Sequence, residues 1–426
     1  MDTSLFVETL KREVCIAQGC TEPIAVSFAT SLACEDLEGE KIEQLDLFLS
    51  TNIIKNAMGV GIPGTGETGL EIAIALGAII QKSCQGLEIL CGFTDEQLEL
   101  ARQFKALNII NMKHKATSEP LYIEVYAKSE HHCGHVVVAR EHTHVILHEK
   151  DGEIILQEEL SNIDTKQVND DDGMSVSSII EFCLNVDVNE ITFLLEGAKM
   201  NKAVSDEGLK HAYGLQVGSK IRDGSNQHML NNSLASRIIS VTAAASDARM
   251  DGCAMPIMTT AGSGNQGITC SLPVYELALI LEKDEEQLLR ALALSQLMTI
   301  HMKFYMGRLS PLCGAGIAGT TGACCGMTYL LGGSEKQIGY AINNMLSDVA
   351  GMICDGAKST CALKIATNVH AAIQCANLAL SNISPNQTQG IIFDEAEQTI
   401  RHLRSLVKVG LAKADECILD IMLQKC

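Results

Sequence analysis

The hydrophobic pattern of this chain changes period once, near the acidic stretch VNDDDG at 168–173, and that change limits the folds open to it. Upstream, KIEQLDLFLST (41–51) alternates like a half-buried strand. From 120 to 158, LYIEVYAKS, HVVVAREHTHVILHE and EIILQEE read as strands, with DG at 151–152 as a hairpin signal. Downstream, residues 174–200, 229–249, 274–306, 335–353 and 361–380 carry apolar side chains at helical spacing. Tryptophan is absent and aromatics make up only 4% of the chain, so the core must be built from Leu, Ile, Val, Ala and Met. Such residues favour close helix–helix packing. The pattern predicts an α+β fold in two parts. Residues 1–170 form an N-terminal α/β portion with a small, mostly antiparallel sheet, and residues 171–426 form a large all-helical portion. VNDDDG reads as the solvated linker between them.

Charge narrows the function. A net charge of −20 argues against a nucleic-acid partner, because phosphate binding needs clustered Lys and Arg. The first residues, MDTSLFVETLKREV, are amphipathic and charged and so unlike a secretion signal. Leu70–Ile80 and similar apolar runs are too short to span a bilayer. A soluble, cytoplasmic protein is expected. In a reducing compartment its 17 cysteines are packed thiols, metal ligands or catalytic groups rather than disulfides.

Two glycine motifs invite a nucleotide reading, and neither sustains it. Gly59, Gly61 and Gly64 spell G-x-G-x-x-G, but Asn52–Met58 intervenes after the strand and Pro63 lies inside the motif. What remains is a loop able to present N–H groups, Lys55 and Asn56 to a small anion. Gly262, Gly264 and Gly267 repeat the pattern between helical segments, with Ser263, Asn265 and Gln266 suited to a small polar ligand such as an amino-acid carboxylate. An ordinary helix-capping loop is the alternative.

The thiols supply sharper candidates. Cys313, Cys354 and Cys361 stand at C-x40-C-x6-C with glycine near each, a setting that suits iron–sulfur chemistry and equally suits packed thiols. Cys20 lies at the start of a helix opened by Thr21 and Pro23, where the helix dipole predicts a lowered thiol pKa and hence a thiolate, base or ligand. Six histidines between His131 and His148 admit a zinc site using His142 and His144, or plain strand-edge side chains.

Taken together, QGCTEP (18–23), NIIKNA (52–57), GIPGTG (61–66), DARMDGC (247–253), GSGNQG (262–267) and the cysteines at 313, 354 and 361 resemble the L-cysteine desulfidase family. That family is related to the α chain (catalytic domain) of iron–sulfur L-serine dehydratases. The resemblance spans nearly the whole chain. It implies one oxygen-sensitive [4Fe–4S] cluster per chain, held by Cys313, Cys354 and Cys361 with one iron open to substrate, in a catalytic helical portion. It gives Cys20 a part in catalysis and matches Gly262–Gln266 to a substrate-binding loop, with Cys324 and Cys325 outside the ligand pattern and structural; the chemistry then makes Cys20 the candidate base and Lys55 and Asn56 candidate substrate-binding residues. Cys426 matches a terminal cysteine that some serine-side relatives place on the open iron. The implied reaction is β-elimination of L-cysteine to hydrogen sulfide, ammonia and pyruvate, on a small amino-acid substrate; a homo-oligomer is compatible with it. GSGNQG stands where the serine enzymes carry Pro-Thr-Asn-Gly, which favours cysteine over serine. L-serine dehydration, a non-enzymatic iron–sulfur redox sensor and a nucleotide binder are the rival readings.

Overall fold

The computed structural model describes residues 3–17, 19–158, 171–224 and 233–425. Among the described residues eight strands form two sheets: β1 (Ile16–Ala17), β2 (Gln44–Leu49), β3 (Ile110–His114), β4 (Tyr122–Lys128), β5 (Cys133–Ala139), β6 (Val145–Lys150), β7 (Glu153–Gln157) and β8 (Ile257–Met258). The larger sheet runs β3-β2-β4-β5-β6-β7, antiparallel except for the parallel pair β2–β3. Three α-helices and a short 3-10 helix lie between β2 and β3 in the chain, and a crossover of that kind is what a parallel pairing requires.

Alternation decides which face of this sheet is buried. Leu45, Leu47 and Leu49 enter a core shared with Ile123, Val125, Val136 and Val138. Helix Thr21–Glu35 lies over β4 and β5, and helix Leu70–Ile80 packs on that helix. A Cβ at Gly77 would strike the Ser27 carbonyl, so glycine sets how closely these two helices approach. Buried residues surround almost the whole of Leu70–Ile80, as expected of a helix covered on every side.

The remaining chain is helical, with helix Leu234–Met250 at its centre against helices Phe193–Lys210, Gly264–Ile280 and Cys361–Leu380. Ala243, Ala244 and Ala245 are fully buried there. Small residues replace aromatic bulk, as the composition requires. The chain's first helix, Thr3–Glu13, sends Phe6, Val7 and Leu10 into this helical core. Phe6 stacks on Phe182 at a centroid distance of 4.8 Å. The α+β expectation therefore holds, with a mixed sheet in the N-terminal part and helices dominating the rest. Among the described residues no helix is long and apolar enough to cross a membrane.

The two parts meet along a few short segments. β1 pairs antiparallel with β8, which places Cys20 close to the Gly262 loop in the fold. The Gly61 N–H donates to the Met250 carbonyl at 2.9 Å, and Gly59 bridges to Lys358. Every one of these seams borders a motif singled out above.

An ion triad centred on a buried histidine fastens the helical part. His301, fully buried on helix Glu285–Met306, hydrogen-bonds Asp172 through Nδ1 at 2.9 Å and Glu397 through Nε2 at 3.1 Å. Burial opposes the imidazolium, but the two carboxylates prevail and hold its pKa up to about 9. Its ordinary value is about 6.5, so this stabilisation is complete below that pH and decays as pH climbs towards about 9. Urea unfolding should show wild-type stability falling across this window. In His301→Gln that slope should flatten, with a loss of about 3 kcal/mol at neutral pH.

Candidate active site

Two loops bring the thiols of the C-terminal part together. Leu312 and Ile353 form an antiparallel bridge. The Cys313 N–H donates to the Met352 carbonyl at 2.9 Å, and the Cys354 N–H to Pro311 at 2.7 Å. Cys313 and Cys354 are thus side by side, and Cys361 opens helix Cys361–Leu380 nearby. Gly316, in a wider π-type turn over Ala315–Gly319, donates its N–H to Cys313 Sγ at 3.3 Å. Burial pushes the Cys313 and Cys361 thiols up, and the neighbouring thiols push in the same direction.

Glycine makes room for these loops. Gly356 has φ +91°, and a Cβ there would collide with the Lys55 carbonyl. At Gly314 a Cβ would meet the Gln266 side-chain oxygen.

All three cysteines line one cavity of about 110 Å³, and so does Cys20 from the N-terminal part. Cys20 is buried, and its thiol donates to Glu22 Oε2 at 3.1 Å. Glu22 is buried too and accepts from Thr21 Oγ1 at 3.1 Å and Asn56 Nδ2 at 3.0 Å. Here the helix-dipole expectation fails: burial, with the Glu22 carboxylate adding to it, pushes the Cys20 thiol well up, and Arg249 offsets only part of this. At rest Cys20 is a thiol. Glu22, by contrast, stays ionised: burial opposes this, but His142 and hydrogen bonds from Cys20, its own backbone N–H and Asn56 hold its carboxyl below the usual carboxylate range.

Gly262, Ser263, Asn265 and Gln266 line the cavity where helix Gly264–Ile280 begins, and Gln266 Nε2 fixes the loop by donating to the Thr260 carbonyl at 2.7 Å. Gly264 backs onto Arg249, whose guanidinium a Cβ there would strike. Lys55 lies elsewhere. It is buried with its ammonium on Asp415 Oδ1 at 2.6 Å and on the Cys354 carbonyl at 3.1 Å, so it braces the cysteine loop from behind and does not line the cavity. Asn56 does line it.

Sequence reading gave no role to three cations that line the cavity, Arg249, Lys303 and Arg308. Arg249, in DARMDGC, lines the cavity with its Nε buried and without a partner among the described residues, while Nη2 donates to the Gly19 carbonyl at 3.2 Å. Lys303 lines it from helix Glu285–Met306, and burial brings its ammonium down to about 8 against the pull of Cys354 and Cys313. An arginine inside a motif and a lysine on an apolar helix face were the available signals.

The strand histidines are occupied by carboxylates: His131 with Glu40, His132 with Asp151, His135 with Glu124, His144 with Glu158 and His148 with Asp36. His142 is buried instead, within the field of Glu22 and Arg308. Cys324 and Cys325 are fully buried in the helical core. Cys426 lies outside the described residues, as do Gln18 and Val168–Asp170 of the quoted motifs.

Comparison with known proteins places the chain in a family. Residues 84–420 match the family described as serine dehydratase alpha chain. The chain belongs to that family. Close relatives cover both chains almost end to end and carry the name UPF0597 protein. The one from Clostridium perfringens is 55% identical over 99% of this chain and 98% of its own. The one from Parabacteroides distasonis is 42% identical over the full length of both chains.

The serine dehydratase alpha chain family implies a [4Fe–4S] cluster, and the donor set can be tested against it. Among the described residues no three His, Cys, Asp or Glu side chains converge tightly enough to hold a single metal ion. A cubane asks for something different, since each thiolate takes its own iron and the ligands stand apart around the cluster. Three thiols on one cavity wall, a backbone N–H on one sulfur and a buried lysine beside them fit that demand.

Proposed function

We propose that this protein is an iron–sulfur lyase that eliminates the β-substituent of L-cysteine, giving hydrogen sulfide, ammonia and pyruvate. One observation carries the reading: a single small cavity is walled by Cys313, Cys354 and Cys361, by the Cys20–Glu22 pair and by Arg249 and Lys303. The three thiols would hold a [4Fe–4S] cluster, which when bound supplies a Lewis-acidic iron for a soft leaving group.

The chain's own residues account for the rest. Arg249 and Lys303 are placed to take the substrate carboxylate, and the buried Arg249 Nε gives a charged hydrogen bond that needs a partner. Backbone N–H groups at the start of helix Gly264–Ile280 add a favourable dipole for the same anion. Asn56 orients Glu22, and Cys20 faces the cavity to receive the α-proton. Loss of the β-group leaves an enamine, which tautomerises and hydrolyses in water.

L-serine is the second reading, favoured by the description of the family. It uses the same residues and differs only in the leaving group. A non-enzymatic redox protein would have no use for two carboxylate-binding cations facing the thiols. Anaerobic assays of the cluster-loaded protein with L-cysteine and L-serine decide between these readings. Sulfide with pyruvate from cysteine at the higher kcat/KM supports the proposal. Preference for serine moves the assignment to dehydration, and no product from either amino acid rejects a lyase.

A further inference from the structure

Resting on the lyase reading, we propose that Glu22 is the proton acceptor behind Cys20, so that the base of this site is a thiol–carboxylate pair and not a lone thiolate. Cys20 Sγ points its proton at Glu22 Oε2 from 3.1 Å. The second carboxylate oxygen is fixed by Asn56 Nδ2 at 3.0 Å, and Thr21 Oγ1 holds the first at 3.1 Å. Both side chains line the cavity. No other carboxylate lines it among the described residues.

The proton transfers balance without an outside reagent. The substrate Cα–H bond breaks as the proton moves to Cys20 Sγ, while the thiol's own proton passes to Glu22 Oε2. The Cα–H electron pair becomes the Cα–Cβ π bond as the bond from Cβ to the leaving group breaks. Glu22 returns its proton through Cys20 to the departing sulfide, which restores the thiol and the carboxylate. Such a relay needs an ionised Glu22 beside a protonated Cys20, and that is the resting state of the pair. His142 and Arg249 are the charged or chargeable groups that act on it from the strand and helix sides.

Glu22→Gln separates the relay from a lone-thiolate base, because it moves two readouts in opposite directions. Without the carboxylate's field the Cys20 thiol ionises more readily, so iodoacetamide labelling of Cys20 in cluster-free protein, followed on its peptide by mass spectrometry, should become faster. Turnover should fall by about 10²-fold or more, since the proton has lost its acceptor. Exchange of the substrate α-proton with solvent deuterium should fall with it, and Glu22→Asp should restore part of both. Turnover within a few-fold of wild type would overturn the proposal, as would labelling and turnover falling together, or equal losses in the Gln and Asp variants. Wild-type protein that forms no product from either amino acid would instead reject the lyase reading itself.

Discussion

Alanine in place of Cys313, Cys354 or Cys361 is expected to remove the brown iron–sulfur absorbance and all turnover together. The three thiols come from two loops joined by the Leu312–Ile353 bridge and from the first residue of helix Cys361–Leu380. No fourth thiol besides Cys20 lines the same cavity among the described residues, so a lost ligand has no substitute there. Cys324 and Cys325 lie within the helical core and cannot replace it without unfolding. Deleting one sulfur should cost the cluster-free fold only about 1 kcal/mol. Circular dichroism melts of the cluster-free variants should therefore stay close to wild type while the visible absorbance disappears. A variant that keeps the absorbance would take its residue out of the proposed ligand set.

Cys20→Ala should behave in the opposite way, keeping the cluster absorbance and losing turnover by about 10²- to 10⁴-fold. Cys20 reaches the cavity from the N-terminal part, and its thiol bonds to Glu22, so the proposed ligand loops do not depend on it. Visible spectra and kcat measured on the same anaerobic sample check both halves. Full activity would end the catalytic assignment of Cys20, and loss of absorbance would make it a ligand.

Local pattern revealed some of this and long-range contact decided the rest. The strands from 120 to 158 and the helices after 174 follow from period alone, because each buries one face by a fixed repeat. The parallel pairing of β2 with β3 did not follow, since it depends on where a three-helix excursion returns. Nor did the docking of Thr3–Glu13 on the helical part, for which amphipathicity names a buried face but no partner. In the site, cysteine and glycine spacing picked out thiols that do share a cavity. Lys55 looked free to bind an anion because its partner, Asp415, is 360 residues away in sequence. Cys20 looked like a thiolate because the dipole is local, whereas the burial that overrides it is a property of the folded chain. Arg249 and Lys303 were given no role because an isolated cation in a helix most often faces solvent.

The most direct test is iron and acid-labile sulfide content of the full chain purified or reconstituted without oxygen. One [4Fe–4S] cluster per chain, with absorbance that changes when L-cysteine or L-serine is added, is the predicted result. Protein that takes up no iron under these conditions, or that forms pyruvate equally well without it, would contradict the account.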